Sequence, residues 1–289
     1  MTDGIPPPLV SLVVGTRGRT WQLERLLHSL SSQSLRSFAV TIVDQNPDRR
    51  LHDMLAAAWP FAIDHLHRPD IRGLSPARNI GWRAATGSVF LFPDDDSWYP
   101  DSFLERGMAL LNDTGADLLT GRSADETGRS INGRFAERPA MITRMSVWHM
   151  QQEWVTFVRR PLMERLGGYD ELVGTGGPTP WQASEGPDLI LRAIAAGALC
   201  RYDPSLVGHH EELSTVPDDE AGLTKAIGYA RGKGYVLRKH HRSPAILGWW
   251  LMRPLYPFAH AVLARNRRKA RYHLLQITGR WRGWRDHGR

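Results

Sequence analysis

The chain has 289 residues, 42% hydrophobic and 23% charged, which is enough for one large domain or two small ones and too apolar for a disordered chain. Its single cysteine, Cys200, excludes an internal disulfide framework and a cysteine-rich zinc module. The net charge of +7 is unevenly spread: from Arg231 onward there are 15 Lys and Arg against one acid, Asp286, whereas the preceding residues hold 22 bases and 29 acids. An acidic body and a basic tail point to different partners for the two.

The first residues, MTDGIPPPLVSLVVG, place an acid and three prolines where a secretory leader needs a basic segment and an apolar run, so the expectation is a cytoplasmic chain. No stretch of about 20 residues is free of both charge and proline, which argues against a simple membrane span.

Leu9–Gly15 is a continuous Val-rich run of the kind found in strands covered on both faces. Trp21–Leu30 then carries apolar residues at helical spacing, and Ala39–Val43 reads as a second strand ending at Asp44. A short helix over Leu51–Trp59 and a weak strand over Ala62–Leu66 follow. Ser75-Pro76 signals a helix start, with Ser as cap and Pro at the first helical position, and that helix runs to Ala85. Ser88–Phe92 is a further buried strand that leads directly into Asp94-Asp95-Asp96. Ser123–Ala140 reads as loop, Trp154–Arg159 as a strand and Gly174–Ser184 as loop. Asp188–Ala196 reads as a helix, and Leu199–Tyr202 as a short strand ahead of His209-His210. Alternating strands and helices predict an open α/β sheet, in which ligands bind beyond the carboxyl ends of the strands. The turn Thr16-Arg17-Gly18-Arg19, Asp44 and the three aspartates all fall there.

That first turn has neither the three-glycine dinucleotide fingerprint nor the Gly-Lys-Ser/Thr of a P-loop, and the chain has no Gly-x-Ser-x-Gly elbow. Three adjacent carboxylates are costly unless a cation offsets them, and their oxygens suit Mg²⁺ or Mn²⁺. The competing reading is a solvated acidic turn. Arg78, near a helix N-terminus, is placed to hold a phosphate or to pair with an acid. Glu185 and Asp188, three apart at a helix start, serve as helix-capping charges or as a general base. A His beside a carboxylate site, as in His209-His210, is a candidate third metal ligand.

Taken in order, VSLVVGTRGR, Thr41-Ile-Val-Asp-Gln, Gly73-Leu-Ser-Pro-Ala-Arg-Asn-Ile-Gly, Val89-Phe-Leu-Phe-Pro-Asp-Asp-Asp-Ser-Trp-Tyr-Pro-Asp, Gly167-Gly-Tyr-Asp and Thr179-Pro-Trp through Glu185-Gly-Pro-Asp-Leu-Ile-Leu-Arg resemble the family-2 nucleotide-sugar glycosyltransferases. The resemblance spans about residues 8–212. It implies a GT-A fold, an open and mostly parallel Rossmann-like sheet flanked by helices, here with a helical C-terminal extension. It divides the chain into a catalytic domain over residues 1–215, with a nucleotide-sugar half to about 121 and an acceptor half from about 122, and a basic amphipathic region over 216–289.

The resemblance also implies roles. Thr16, Arg17 and Arg19 line the nucleotide pocket, Asp44 meets the base or ribose, and Arg78 meets the base or diphosphate. The family writes its acidic motif Asp-x-Asp; aligned from Pro100, the metal Asp is Asp95 and the motif's first Asp falls on Pro93, which hands the ribose to Asp94. Asp96 and His210 complete the metal set for Mg²⁺ or Mn²⁺. The family's base is the Asp of a Glu-Asp pair, which here reads Glu185-Gly186, so Glu185 is the first candidate and Asp188 the second. Trp181 and Trp98 are candidates to stack on a sugar, and the Gly174–Gly177 loop to close over the donor. The implied reaction is an inverting transfer from a nucleoside-diphosphate sugar to a hydroxyl.

In the tail, aromatic residues alternate with Arg and Lys from Pro244 to Arg289. This composition suits helices lying on an anionic leaflet, with Trp249, Trp250, Trp281 and Trp284 at the interface, or basic helices packed on the catalytic domain. The membrane reading implies a glycan or lipid-linked acceptor in cell-envelope or exopolysaccharide assembly, on the inner face of the cell membrane. Two rivals remain: a sugar nucleotidyltransferase, against which the poor glycine loop Gly15–Arg19 argues, and a nucleic-acid-binding protein using the tail, against which the strand-end aspartates argue.

Overall fold

The computed structural model describes residues 8–286 except Thr215, Asp218 and Arg242. The expectations for the extreme N-terminus, where the proline run begins, and for the last three residues of the basic tail lie outside the described residues.

The strands are β1 (Val10–Thr16), β2 (Phe38–Asp44), β3 (Ala62–His67), β4 (Val89–Leu91), β5 (Leu118–Ala124), β6 (Ala140–Met141), β7 (Thr156–Arg159) and β8 (Cys200–His209). They form one mixed sheet in the order β3-β2-β1-β4-β7-β5-β8-β6. The run β3-β2-β1-β4 is parallel, β7 enters antiparallel between β4 and β5, and β5 pairs parallel with β8. The helices are α1 (Trp21–Ser31), α2 (His52–Ala56), α3 (Leu74–Ala84), α4 (Phe103–Asp113), α5 (Arg160–Leu166), α6 (Glu185–Ala195), α7 (Glu220–His240), α8 (Pro244–Met252), α9 (Leu255–Leu263) and α10 (Arg267–Arg285).

Every residue of β1 is buried, as its unbroken apolar run predicts for a strand covered on both faces. One side of α1 supplies Leu23, Leu26, Leu27 and Leu30 to the core, and α4 supplies Phe103, Leu104, Met108 and Leu111. These meet Leu12, Val40, Leu91 and Phe157 of the sheet.

Three expectations are corrected. Ser75 does not cap α3: the cap is Gly73 at φ +100°, and Ser75 lies inside the helix, 1% exposed. Glycine adopts that backbone without strain and so starts the helix two residues earlier. Residues 118–124 form β5, whose end overlaps the loop expected from Ser123 onward. The strand after Leu199 is ten residues long, because β8 follows β5 past the irregularity between Thr120 and Arg122 and continues to His209.

The chain divides into two compact units. The first comprises residues up to Tyr169 with Leu189–Leu213 and contains the sheet; the second comprises Asp170–Asp188 with Ser214 onward. In the second unit α7 and α10 pack backbone to backbone. A Cβ on Gly234 would lie 2.1 Å from the Arg280 carbonyl oxygen, and one on Gly283 would lie 1.9 Å from that of Arg231. Trp250 and Trp284, expected at a membrane interface, are buried at 4% and 8% exposure. Lys233 and Arg238 lie over their rings. Among the described residues no helix is long and apolar enough to cross a membrane.

Candidate active site

β1 and β4 deliver the turn 16–19 and the aspartate run to the same edge of the sheet, because parallel neighbours point their carboxyl ends the same way. Thr16 Oγ1 donates to Asp95 Oδ2 at 2.7 Å. The Arg19 guanidinium bridges two acids, pairing with Asp95 Oδ1 and, at 2.6 Å, with Asp96 Oδ2. Arg17 is exposed on the same turn.

His210 is 114 positions from Asp96 in the chain, and β8 closes that distance. Trp98 and His209 exchange two backbone hydrogen bonds of 3.0 and 2.8 Å, which moor the end of β8 to the acidic turn. His210 Nε2 then lies 3.1 Å from Asp96 Oδ1. Its Nδ1 lies 2.8 Å from the Glu211 carbonyl oxygen, which accepts the Nδ1 proton and leaves Nε2 as the lone-pair nitrogen of the neutral ring. His209, by contrast, turns its Nδ1 to the Ala124 carbonyl at 3.0 Å.

The three carboxyls have different surroundings. Burial lifts Asp94 to about 6, against the pull of Arg78. Burial also raises Asp95, against Arg19 and Thr16. Asp96 is lowered, because hydrogen bonding and charge from His210, with Arg19, outweigh its burial. Burial disfavours the charged His210 ring, but Asp96 outweighs that and raises its pKa.

Arg78 departs from the expected ligand contact. It is fully buried inside the first unit, paired with Asp94 Oδ1 at 2.9 Å and Glu153 Oε1 at 2.6 Å, with the Tyr169 ring 5.3 Å from its guanidinium carbon. Asp44 is likewise enclosed. Its Oδ1 accepts from the backbone and side-chain nitrogens of Asn46 at 2.9 and 2.7 Å, and its Oδ2 lies 3.1 Å from His65 Nε2. Trp98 is half-buried, with the Arg25 guanidinium 3.9 Å from its ring centroid and Arg25 also bonded to the Asp96 carbonyl at 3.1 Å. The sequence reading missed Glu153, His65 and Arg25. No local motif marks them; Glu153 precedes β7 and reaches Arg78 only because that strand inserts beside β4.

Glu185, Asp188 and Trp181 belong to the second unit. Asp188 is fully buried, with Lys239 Nζ and His240 Nε2 each 2.7 Å from its Oδ1, which marks an internal ion pair. Glu185, 5% exposed, occupies the first turn of α6. Trp181 does not fit its expected role as a sugar platform: it is 6% exposed and stacked on Tyr235 with centroids 3.9 Å apart.

Among the described residues, no group of three or more His, Cys, Asp and Glu is arranged to hold a metal ion. The donor chemistry nevertheless fits a hard divalent ion. Asp96 Oδ1 and His210 Nε2, 3.1 Å apart, have the spacing of neighbouring ligands about 2.1 Å from one ion, and Asp95 is adjacent but held by Arg19.

The family model described as glycosyl transferase family 2 matches residues 11–176. Glycosyltransferase AglE of Haloferax volcanii is 25% identical over 214 residues, covering 70% of this chain and 67% of AglE. The pre-mycofactocin glycosyltransferase of Mycobacterium tuberculosis is 25% identical over 219 residues, 72% of this chain but 44% of that protein, so the chain spans less than half of that relative. Among solved structures, the mannosyltransferase PcManGT from Pyrobaculum calidifontis, in complex with GDP-Man and Mn²⁺, has a TM-score of 0.65 at 17% identity, covering 97% of this chain and 88% of that one. S. aureus TarS 1-349 in complex with UDP-GlcNAc has a TM-score of 0.56 at 15% identity, covering 94% and 91%. These likenesses establish the GT-A fold.

Proposed function

The chain belongs to glycosyl transferase family 2 and is a glycosyltransferase, and from that premise we propose that it carries out a metal-dependent, inverting transfer from a nucleoside-diphosphate sugar to a hydroxyl on a glycan or lipid-linked acceptor. The observation that carries this reading is the acidic turn itself: Asp95 and Asp96, fixed at the end of a buried strand, meet Thr16 and Arg19 from one neighbouring element and His210 from another.

Asp96 and His210, with Asp95 once Arg19 turns away, would hold Mg²⁺ or Mn²⁺. Such an ion, when bound, offsets the negative charge that develops on the departing diphosphate. Arg19, released from the acids, is then free to pair with a diphosphate oxygen. Arg17 and Thr16 border the nucleotide. Asp94 orients the ribose and is itself held in place by Arg78. Arg78 and Asp44 act as positioning residues, since both are buried and engaged by protein groups. Trp98 lies beside the acidic turn as the candidate surface for a sugar ring. Glu185 removes the proton from the attacking hydroxyl. Asp188 Oδ1 is engaged by Lys239 and His240, and Glu185 is the first candidate for this role.

The C-terminal region, rich in Lys and Arg, docks on the anionic inner face of the cell membrane, which brings the enzyme to a membrane-borne acceptor in cell-envelope or exopolysaccharide assembly. A panel of nucleotide sugars, with and without Mg²⁺ or Mn²⁺, tests the reaction through release of nucleoside diphosphate. Release that persists in Asp95→Ala and in EDTA would overturn the metal role. Release of pyrophosphate instead would indicate nucleotidyl transfer.

A further inference from the structure

Helices α8 and α9 carry an apolar surface that the chemistry above does not use. Trp249, Met252, Tyr256, Val262 and Leu263 are 60, 63, 79, 51 and 85% exposed. Trp249, Met252, Tyr256 and Leu263 are separated by three, four and seven residues and so follow one side of a helix, with Val262 adjoining Leu263 off that line. The two helices are close to continuous: between them Arg253 (φ −58°, ψ −43°) and Pro254 (φ −81°, ψ −6°) keep helical backbone angles, so the row runs on from α8 into α9. Leu247, Trp250 and Ala261 on the same helices are buried, so the segment has one side in the protein and one side in water.

An apolar row of this length is uncommon on the surface of a soluble protein and marks a contact. The surrounding charge selects the partner. No acid occurs from Pro244 to Arg285, while Arg253, Arg265, Arg267 and Lys269 are exposed on or just after the row. Apolar side chains with an aromatic pair, Trp249 and Tyr256, flanked only by cations, match the boundary between acyl chains and anionic headgroups.

We infer that the row from Trp249 to Leu263 enters the headgroup region of an anionic bilayer leaflet, with the neighbouring Arg and Lys on the lipid phosphates. This inference rests on the membrane reading of the C-terminal region and narrows it to one face. It also replaces Trp250 and Trp284, which are buried, with Met252, Tyr256 and Leu263 as the inserting side chains.

The test is sedimentation of the full chain with phosphatidylcholine vesicles, with and without phosphatidylglycerol. The expected result is binding to the anionic vesicles alone, reduced by at least about ten-fold in Met252→Asp/Leu263→Asp. Diphosphate release from the donor should stay unchanged. Leu263→Lys, at the most exposed of these positions, gives a partial loss without disturbing internal packing. Binding that survives in both variants overturns the role of the row but leaves the basic region as the anchor. Failure of the unaltered chain to bind any vesicle overturns the row and the membrane reading together, and leaves sugar transfer standing. A dimer in analytical ultracentrifugation that the variants dissociate overturns the inference in favour of a second copy of the chain.

Discussion

Arg78 shows how much a single side chain changes meaning once its surroundings are known. In the sequence it is a cation near a helix start, available to a phosphate; in the fold it is fully buried between Asp94 and Glu153. Removing one member of a buried charge cluster strands the others. Arg78→Met is therefore expected to cost about 3–5 kcal/mol in urea unfolding, and adding Glu153→Gln should recover part of it by removing one stranded acid. The same reasoning separates the two candidate bases. Glu185→Gln should lower turnover by about 10²–10⁴-fold with little change in melting temperature. Asp188→Asn should act mainly on stability, because it weakens the pairs with Lys239 and His240. If Asp188→Asn alone abolished turnover in a fully folded protein, the base assignment would reverse. At this scale the residue types of the site were legible, since three aspartates after a buried strand stand out locally. Their partners were not, because nothing near Glu153 or His65 in the chain announces a contact with Arg78 or Asp44.

Whether an element could be read depended on whether its burial is local or borrowed. β1 and β2 are unbroken apolar runs and declare themselves. β5 reads LLTGRSA and includes an Arg, a Gly and two hydroxyl residues; it becomes a strand because β7 and β8 pair with its two edges. Pairing with β5 likewise extends β8 to ten residues, although its sequence includes Asp203-Pro204. The glycines of α7 and α10 weaken each helix taken alone, yet they allow the two backbones to approach. Gly283→Ala would place a methyl group against the Arg231 carbonyl. It is expected to cost about 1–3 kcal/mol by overpacking, which a thermal melt would register. A melt equal to that of the unaltered chain would mean that the close packing of α7 and α10 is not maintained.

For the molecule as a whole, the sheet can be monitored through Cys200. Its thiol is 1% exposed on β8, and burial pushes it up to about 12. Iodoacetamide at pH 8 should therefore label Cys200 only when the sheet opens. Nucleoside diphosphate with Mn²⁺, bound at a hundred times its dissociation constant, should slow that labelling about a hundred-fold. Equal labelling with and without ligand would mean that the nucleotide does not bind the folded sheet. The alternation of strands and helices from β1 to β4, the acidic turn and the charge division were determined by the sequence itself, because each arises from residues close together in the chain: apolar runs, turn formers and clusters of like charge. Which carboxylate faces His210, which arginine is internal, and which tryptophans of the tail face solvent were decided only by tertiary structure. Each depends on a pairing between distant segments, such as Trp98 with His209 or β7 beside β4, and the free energy of such a pairing is not contained in either segment alone.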